Sequence, residues 1–159
     1  AEQYLDDVWR NVRQLSHELM PPCFSTLALD AVVSSYVAAI SRNGSRDISL
    51  NIDTAFDWGS LPQQVAYEIY RIIQESTANA MKYGDHSGID ISLTVNDGNL
   101  SVCVANGIGT RPADGTRTSD HGIGQQTLQK RADRIGAKLT VDEADMSHRL
   151  TLIYQLTTT

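Results

Sequence analysis

Residues 68–84 read EIYRIIQESTANAMKYG, a run whose spacing predicts a long helix with chemistry on one side. Ile69, Ile72, Ile73 and Ala80 recur at helical intervals and form an apolar face fit for a core. Glu75 and Asn79 stand one turn apart on the other face, one side chain above the next. A carboxylate beside a carboxamide offers oxygen ligands to a hard cation such as Mg²⁺, which takes few protein ligands and completes its shell with water and substrate phosphates. Taken alone, a Glu/Asn pair on a helix is most often a solvated polar stripe, so its reading depends on what flanks it.

Upstream, residues 2–20 form a helix in which Leu5, Val8, Val12, Leu15 and Leu19 are spaced as a heptad seam that wants a partner helix. Pro21 and Pro22 end it. A second helix is expected over 26–41, closed by Asn43-Gly44. Ile48, Leu50 and Ile52 alternate with polar residues and predict a strand over 47–53, and Pro62 falls in the first turn of the long helix. Downstream, two alternating runs flank the turn Asn96-Asp97-Gly98-Asn99 and predict a hairpin. Cys103 lies within its second strand and reads as a buried free thiol. Residues 107–121 lack apolar period and read as a loop that only ligand contacts would order. A helix over 124–135 stopped by Gly136 follows, then strands over 137–143 and 148–156. The order implies an α+β fold, a two-layer α/β sandwich with helices over one face of a mixed sheet, plus an N-terminal helix.

With these elements placed, residues 68–84 resemble the N-box of sensor histidine kinase ATPase domains, particularly the nitrate-sensor and DesK types. Tyr70, Arg71, Gln74, Glu75, Asn79, Ala80 and Lys82 match that motif, and Tyr83 stands where the family usually has histidine. VANGIG at 104–109 is similar to the first glycine box. HGIGQQTLQKRADRIGAKLTV at 121–141 is similar to the second glycine box and its helix. All three occur in family order, and the likeness covers residues 45–157 well and the N-terminal part more weakly. It implies the Bergerat ATP-binding fold, with ATP and Mg²⁺ as ligands.

Carried over residue by residue, the resemblance makes Asn79 the Mg²⁺ ligand and Glu75 the group that orients water or a neighbouring ligand. Lys82 would offset phosphate charge, with Tyr83 beside it. Gly107, Gly109, Gly122 and Gly124 would let backbone approach phosphate, and the amides of Gly122, Ile123 and Gly124 at a helix start would form an anion site. His121 would touch a phosphate. The family's adenine-binding aspartate is missing. Alignment on the glycines puts Ala105 at its position, whereas the strand alternation puts Asn106 there, and a neutral amide would accept the adenine amine less strongly than a carboxylate. Gln125 replaces the leucine usual in the second box.

LSHELMPP at 15–22 resembles a phosphoacceptor box. The distance from His17 to Glu75 is too short for a whole hairpin plus the start of the ATPase domain, so the segment matches better the end of a second hairpin helix. That makes residues 1–22 the C-terminal part of a dimerisation and phosphotransfer helix, 23–159 the ATP-binding domain, and the true acceptor histidine an upstream residue.

The length of 159 residues suits one domain with an appended helix. A formal charge of −6 excludes a broad basic surface for nucleic acid. The two cysteines have no metal spacing and fit a reducing cytosol, and no apolar run reaches membrane length. The expectation is the ATP-binding catalytic domain of a sensor histidine kinase, which transfers the γ-phosphoryl group to an upstream histidine. A response-regulator receiver domain and a second copy through the N-terminal helix would be its partners. The setting would be cytoplasmic, including the cytoplasmic portion of a membrane-bound sensor. A degenerate, non-catalytic dimerising module of the same fold and a serine kinase of the anti-sigma type are the alternatives.

Overall fold

Strand alternation in five short segments assembles one mixed sheet whose inner face is aliphatic. A computed structural model describes residues 23–43, 47–84, 87–107, 118–144 and 146–157, with the backbone alone for 43 and 118–123. The helix expected over 2–20, the domain boundary at 22 and Gly109 lie outside the described residues. Among those described, the strands are β1 Ile48–Ile52, β2 Ile89–Asn96, β3 Asn99–Gly107, β4 Lys138–Ala144 and β5 Ser147–Gln155. They lie in the order β1-β2-β3-β5-β4. β1 pairs in parallel with β2, and every other pairing is antiparallel. Asp97 (φ 51°) and Gly98 (φ 77°) both take the left-handed conformation that a two-residue hairpin turn requires.

Among the described residues, three α-helices cover the inner face: α1 Leu29–Asn43, α2 Gln63–Tyr83 and α3 Thr118–Arg134. Ile69, Ile72 and Ile73 of α2 are fully buried with Ile89, Leu93, Leu100, Val102 and Leu152 of the sheet. The apolar face read from 68–84 is therefore the centre of the core. Asp57 caps a short 3-10 turn, Trp58–Ser60, by accepting from the Gly59 amide at 3.1 Å, and this feeds the chain through Pro62 into α2.

Four expectations need correction. α1 starts at Leu29 rather than 26, because residues 23–27 close a turn in which the Thr26 and Leu27 amides donate to the Cys23 carbonyl. α3 starts at Thr118 rather than 124. Thr118, Ser119 and Asp120 are residue types that favour helix starts. The two glycines that follow weaken the helix by about 1 kcal/mol each without ending it. Accordingly the segment 107–121 is not loop throughout: Gly107 ends β3 and 118–121 are helical. Cys103 is half-buried, not buried, since alternation sends Val102 and Val104 inward and Cys103 to the open face of the sheet. Gly136, at φ 69°, does stop the third helix.

Candidate functional site

Two corners of the α2 surface carry polar side chains that the core does not need. The first is the contact between α2 and α3, which run antiparallel. Glu68, Glu75 and Asn79 line one face of α2, at spacings of two turns and one turn. Gly124 and Arg131 line the facing stripe of α3, again two turns apart. Arg131 bridges both carboxylates: Nε donates to Glu75 Oε1 at 2.9 Å and Nη1 to Glu68 Oε2 at 3.2 Å. Arg134 Nη1 donates to Glu68 Oε1 at 3.2 Å. Arg71, one turn before Glu75, lies 3.6 Å from Glu75 Oε1 and donates to Gln74 Oε1 at 3.2 Å.

Glu68 is only 3% exposed, so its charge depends on these arginines. Burial pushes the Arg131 guanidinium down, but Glu75 and Glu68 outweigh it and hold Arg131 above the ordinary arginine value. At the other end of the seam, a Cβ built on Gly124 would sit 3.7 Å from Asn79 Nδ2, so a side chain at position 124 would reach van der Waals contact with the Asn79 carboxamide and glycine leaves that space open. Both contacts on Glu75 fall on Oε1, so Oε2 remains without a partner among the described residues.

The second corner lies at the C-terminal end of α2. Asn106, the last inward residue of β3, is 7% exposed. Its Nδ2 donates to the Gly107 carbonyl at 3.0 Å, which fixes the amide orientation, because the flipped form would set oxygen against oxygen. Its Oδ1 is buried with no hydrogen-bond partner. Gly84 closes the corner: a Cβ there would press on the Ala80 carbonyl and come within 2.6 Å of Asn106 Nδ2. With φ at −74°, Gly84 is needed for space and not for its backbone conformation.

No family model matches the chain. It is 29% identical over 133 residues to the oxygen sensor histidine kinase NreB of Staphylococcus carnosus, a match that covers 83% of this chain and 37% of that protein. It superposes on the histidine kinase domain of the Erythrobacter litoralis EL346 blue-light activated histidine kinase with a TM-score of 0.67 at 19% identity, covering 83% of this chain and 63% of the other. Full-length ShkA in complex with AMPPNP gives a TM-score of 0.59 at 15% identity, covering 82% and 30%. The fold is that of a histidine kinase catalytic domain. Sequence homology and fold together support a histidine kinase ATPase domain. The chain spans little more than a third of the NreB relative.

Within this fold, the two segments that resemble the N-box and the second glycine box approach each other at Asn79 and Gly124. Asn106, not Ala105, faces inward, since Ala105 is half-buried on the open face of the sheet. Gly107 lies beside Asn106 at the end of β3. Lys82 is exposed, with Nζ 5.0 Å from the centroid of the half-buried Tyr83 ring. His121, Gly122 and Ile123 fall in α3, where the backbone alone is described. The helix start on which the Gly122, Ile123 and Gly124 amides were expected lies earlier, at Thr118, so these three residues fall inside α3.

Residue types alone did not reveal Glu68, Arg131, Arg134 or Gly84. The available signal was spacing: Glu68 stands two turns before Glu75 on the same face, and Arg131 two turns after Gly124. An apolar groove of about 340 Å³ between α1 and Tyr70, lined by Leu27, Val32, Tyr36 and Ala39, lies apart from these corners. There burial, with Tyr70 nearby, pushes the Tyr36 hydroxyl up to about 12.

Proposed function

We propose that the chain is the ATP-binding catalytic domain of a sensor histidine kinase, which passes the γ-phosphoryl group of ATP to a histidine on an upstream helix. The observation that carries this reading is the buried, unpartnered Oδ1 of Asn106. A buried acceptor costs about 1–3 kcal/mol while unsatisfied, and the exocyclic amine of adenine is a donor of matching chemistry. The donor set fits Mg²⁺ as well. Among the described residues no cluster of three or more His, Cys, Asp or Glu could cage a metal. That suits a cation that arrives with phosphate oxygens and takes one amide oxygen, from Asn79.

The bound Mg²⁺ would neutralise charge on the phosphates during transfer. The chain's own residues supply position. Asn106 holds the base, Gly107 and Gly124 leave room for backbone near the phosphates, and Lys82 adds a point charge at the exposed edge. Glu75, tethered through Oε1, keeps Oε2 for a water or the incoming imidazole. Transfer of this kind is positioning and charge neutralisation, so no nucleophile is needed in this domain. A second copy, through the seam at 5–19, and a response-regulator receiver domain complete the proposal. No described helix is long and apolar enough to cross a membrane, and a cytoplasmic portion of a sensor is the setting we propose. The comparisons favour neither alternative raised by the sequence.

The base contact has a direct test. The folded chain is expected to bind Mg-ATP about tenfold tighter than Mg-ITP, whose base lacks the amine, by calorimetric titration. Asn106→Ala should erase that difference. Equal affinities for the two nucleotides in the unaltered chain would remove Asn106 from base recognition.

A further inference from the structure

We propose that Arg131 is a positioning residue that sets the register of α3 along α2 and so brings the Gly124 backbone to Asn79, an inference that rests on the nucleotide-binding reading above. α3 has few apolar anchors. From Gly124 onward, Leu128 and Ala132 are its buried side chains, and a stripe that narrow leaves sliding and rotation weakly restrained. Arg131 supplies the missing restraint. Its planar fork engages Glu75 at 2.9 Å and Glu68 at 3.2 Å, two turns of α2 at once, and at 14% side-chain exposure the contacts are largely protected from water.

The stripes then transmit the setting. Gly124 rides on the same face of α3 as Arg131, and Asn79 on the same face of α2 as Glu75. A slip of one turn, about 5.4 Å, would carry Gly124 away from Asn79 altogether. Arg134 cannot substitute. It reaches Glu68 alone, and its side chain is 56% exposed.

A ligand-free measurement tests the register. In the full chain with Cys23→Ser and Cys103→Ser, the pair Asn79→Cys and Gly124→Cys is expected to form an intramolecular disulfide under mild oxidant, since disulfides demand close Cα atoms. Adding Arg131→Met should slow that reaction about tenfold or more, whereas Arg134→Met should leave it within about twofold. A second arm uses nucleotide with Asn79 and Gly124 intact. Arg131→Met should weaken Mg-AMPPNP binding about tenfold and leave adenosine binding unchanged, because Asn106 and Gly84 do not belong to α3. A role limited to holding the domain together would lower both affinities alike.

If Arg131→Met does not fold, Glu68→Gln/Arg131→Met, which leaves no lone carboxylate at the buried end, is read the same way. Equal cross-linking rates with and without Arg131, or a parallel loss of both affinities, overturn the proposal. Cross-linking as expected, with no binding of adenosine or Mg-AMPPNP by the chain that keeps Asn79, Gly124 and Arg131, would overturn the nucleotide reading and leave the register assignment standing.

Discussion

Asn79→Ala is expected to abolish Mg²⁺-dependent nucleotide binding in a domain that remains folded. Asn79 is half-buried on the α2 face turned toward Gly124, outside the isoleucine cluster that holds the helix. Its truncation removes no core contact, and surface changes of that kind alter stability by about 0.5 kcal/mol or less. The loss in binding should be far larger. Mg²⁺ has few protein ligands to begin with, and losing one of them leaves the phosphates close to uncompensated. Calorimetry with Mg-ATP, and again with EDTA, isolates the term: the unaltered chain should lose affinity in EDTA, and the variant should be indifferent to it. A folded Asn79→Ala protein with the original Mg²⁺ dependence would reassign the metal ligand.

Glu68→Ala should act through stability, by about 3–5 kcal/mol, as expected when one member of a buried ion pair is removed and its partners stay behind. Arg131 would keep Glu75 but lose the carboxylate on Nη1. The exposed Arg134 would return to water at little cost. Urea unfolding followed by circular dichroism measures the change. Glu68→Leu/Arg131→Met should recover part of the loss, because an apolar pair of similar volume carries no desolvation penalty. A loss under about 1 kcal/mol would mean that the Glu68 contacts behave as ordinary surface pairs.

How much of this was legible beforehand varied with the range of the interactions involved. The turn at Asn96-Asp97-Gly98-Asn99 could be read because its left-handed positions are a local property of Asp and Gly. The inward set Leu100, Val102, Val104 and Asn106 followed from alternation. The same alternation, had it been applied to Cys103, would have placed it on the open face. The start of α3 is hidden because residues 107–121 show no apolar period, although the start-favouring Thr118, Ser119 and Asp120 stand among them. Arg131 and Glu68 were illegible for a different reason. They lie 63 residues apart and meet only because two helices pack antiparallel. Gly84 was equally hidden, since its need for space arises from Asn106 on a separate strand.

The parallel pairing of β1 with β2 also orders the assembly of the chain in time. The β2–β3 and β4–β5 hairpins close across very short turns, and such hairpins form in about 1–10 μs. Joining them from Asn99–Gln155 to Gly107–Ser147 builds the centre of the sheet. β1 cannot add to β2 until the intervening α2 has docked, because Ile48 pairs with Ile89 across that whole helix. The strand that enters last should leave first. Leu50→Ala is therefore expected to steepen the unfolding rate with little change in folding, while Leu152→Ala slows folding, and the two arms of a denaturant chevron read each directly. A folding limb slowed equally by both would place β1 in the nucleus. If the order holds, the first part of this domain to open under load is the edge farthest from β4.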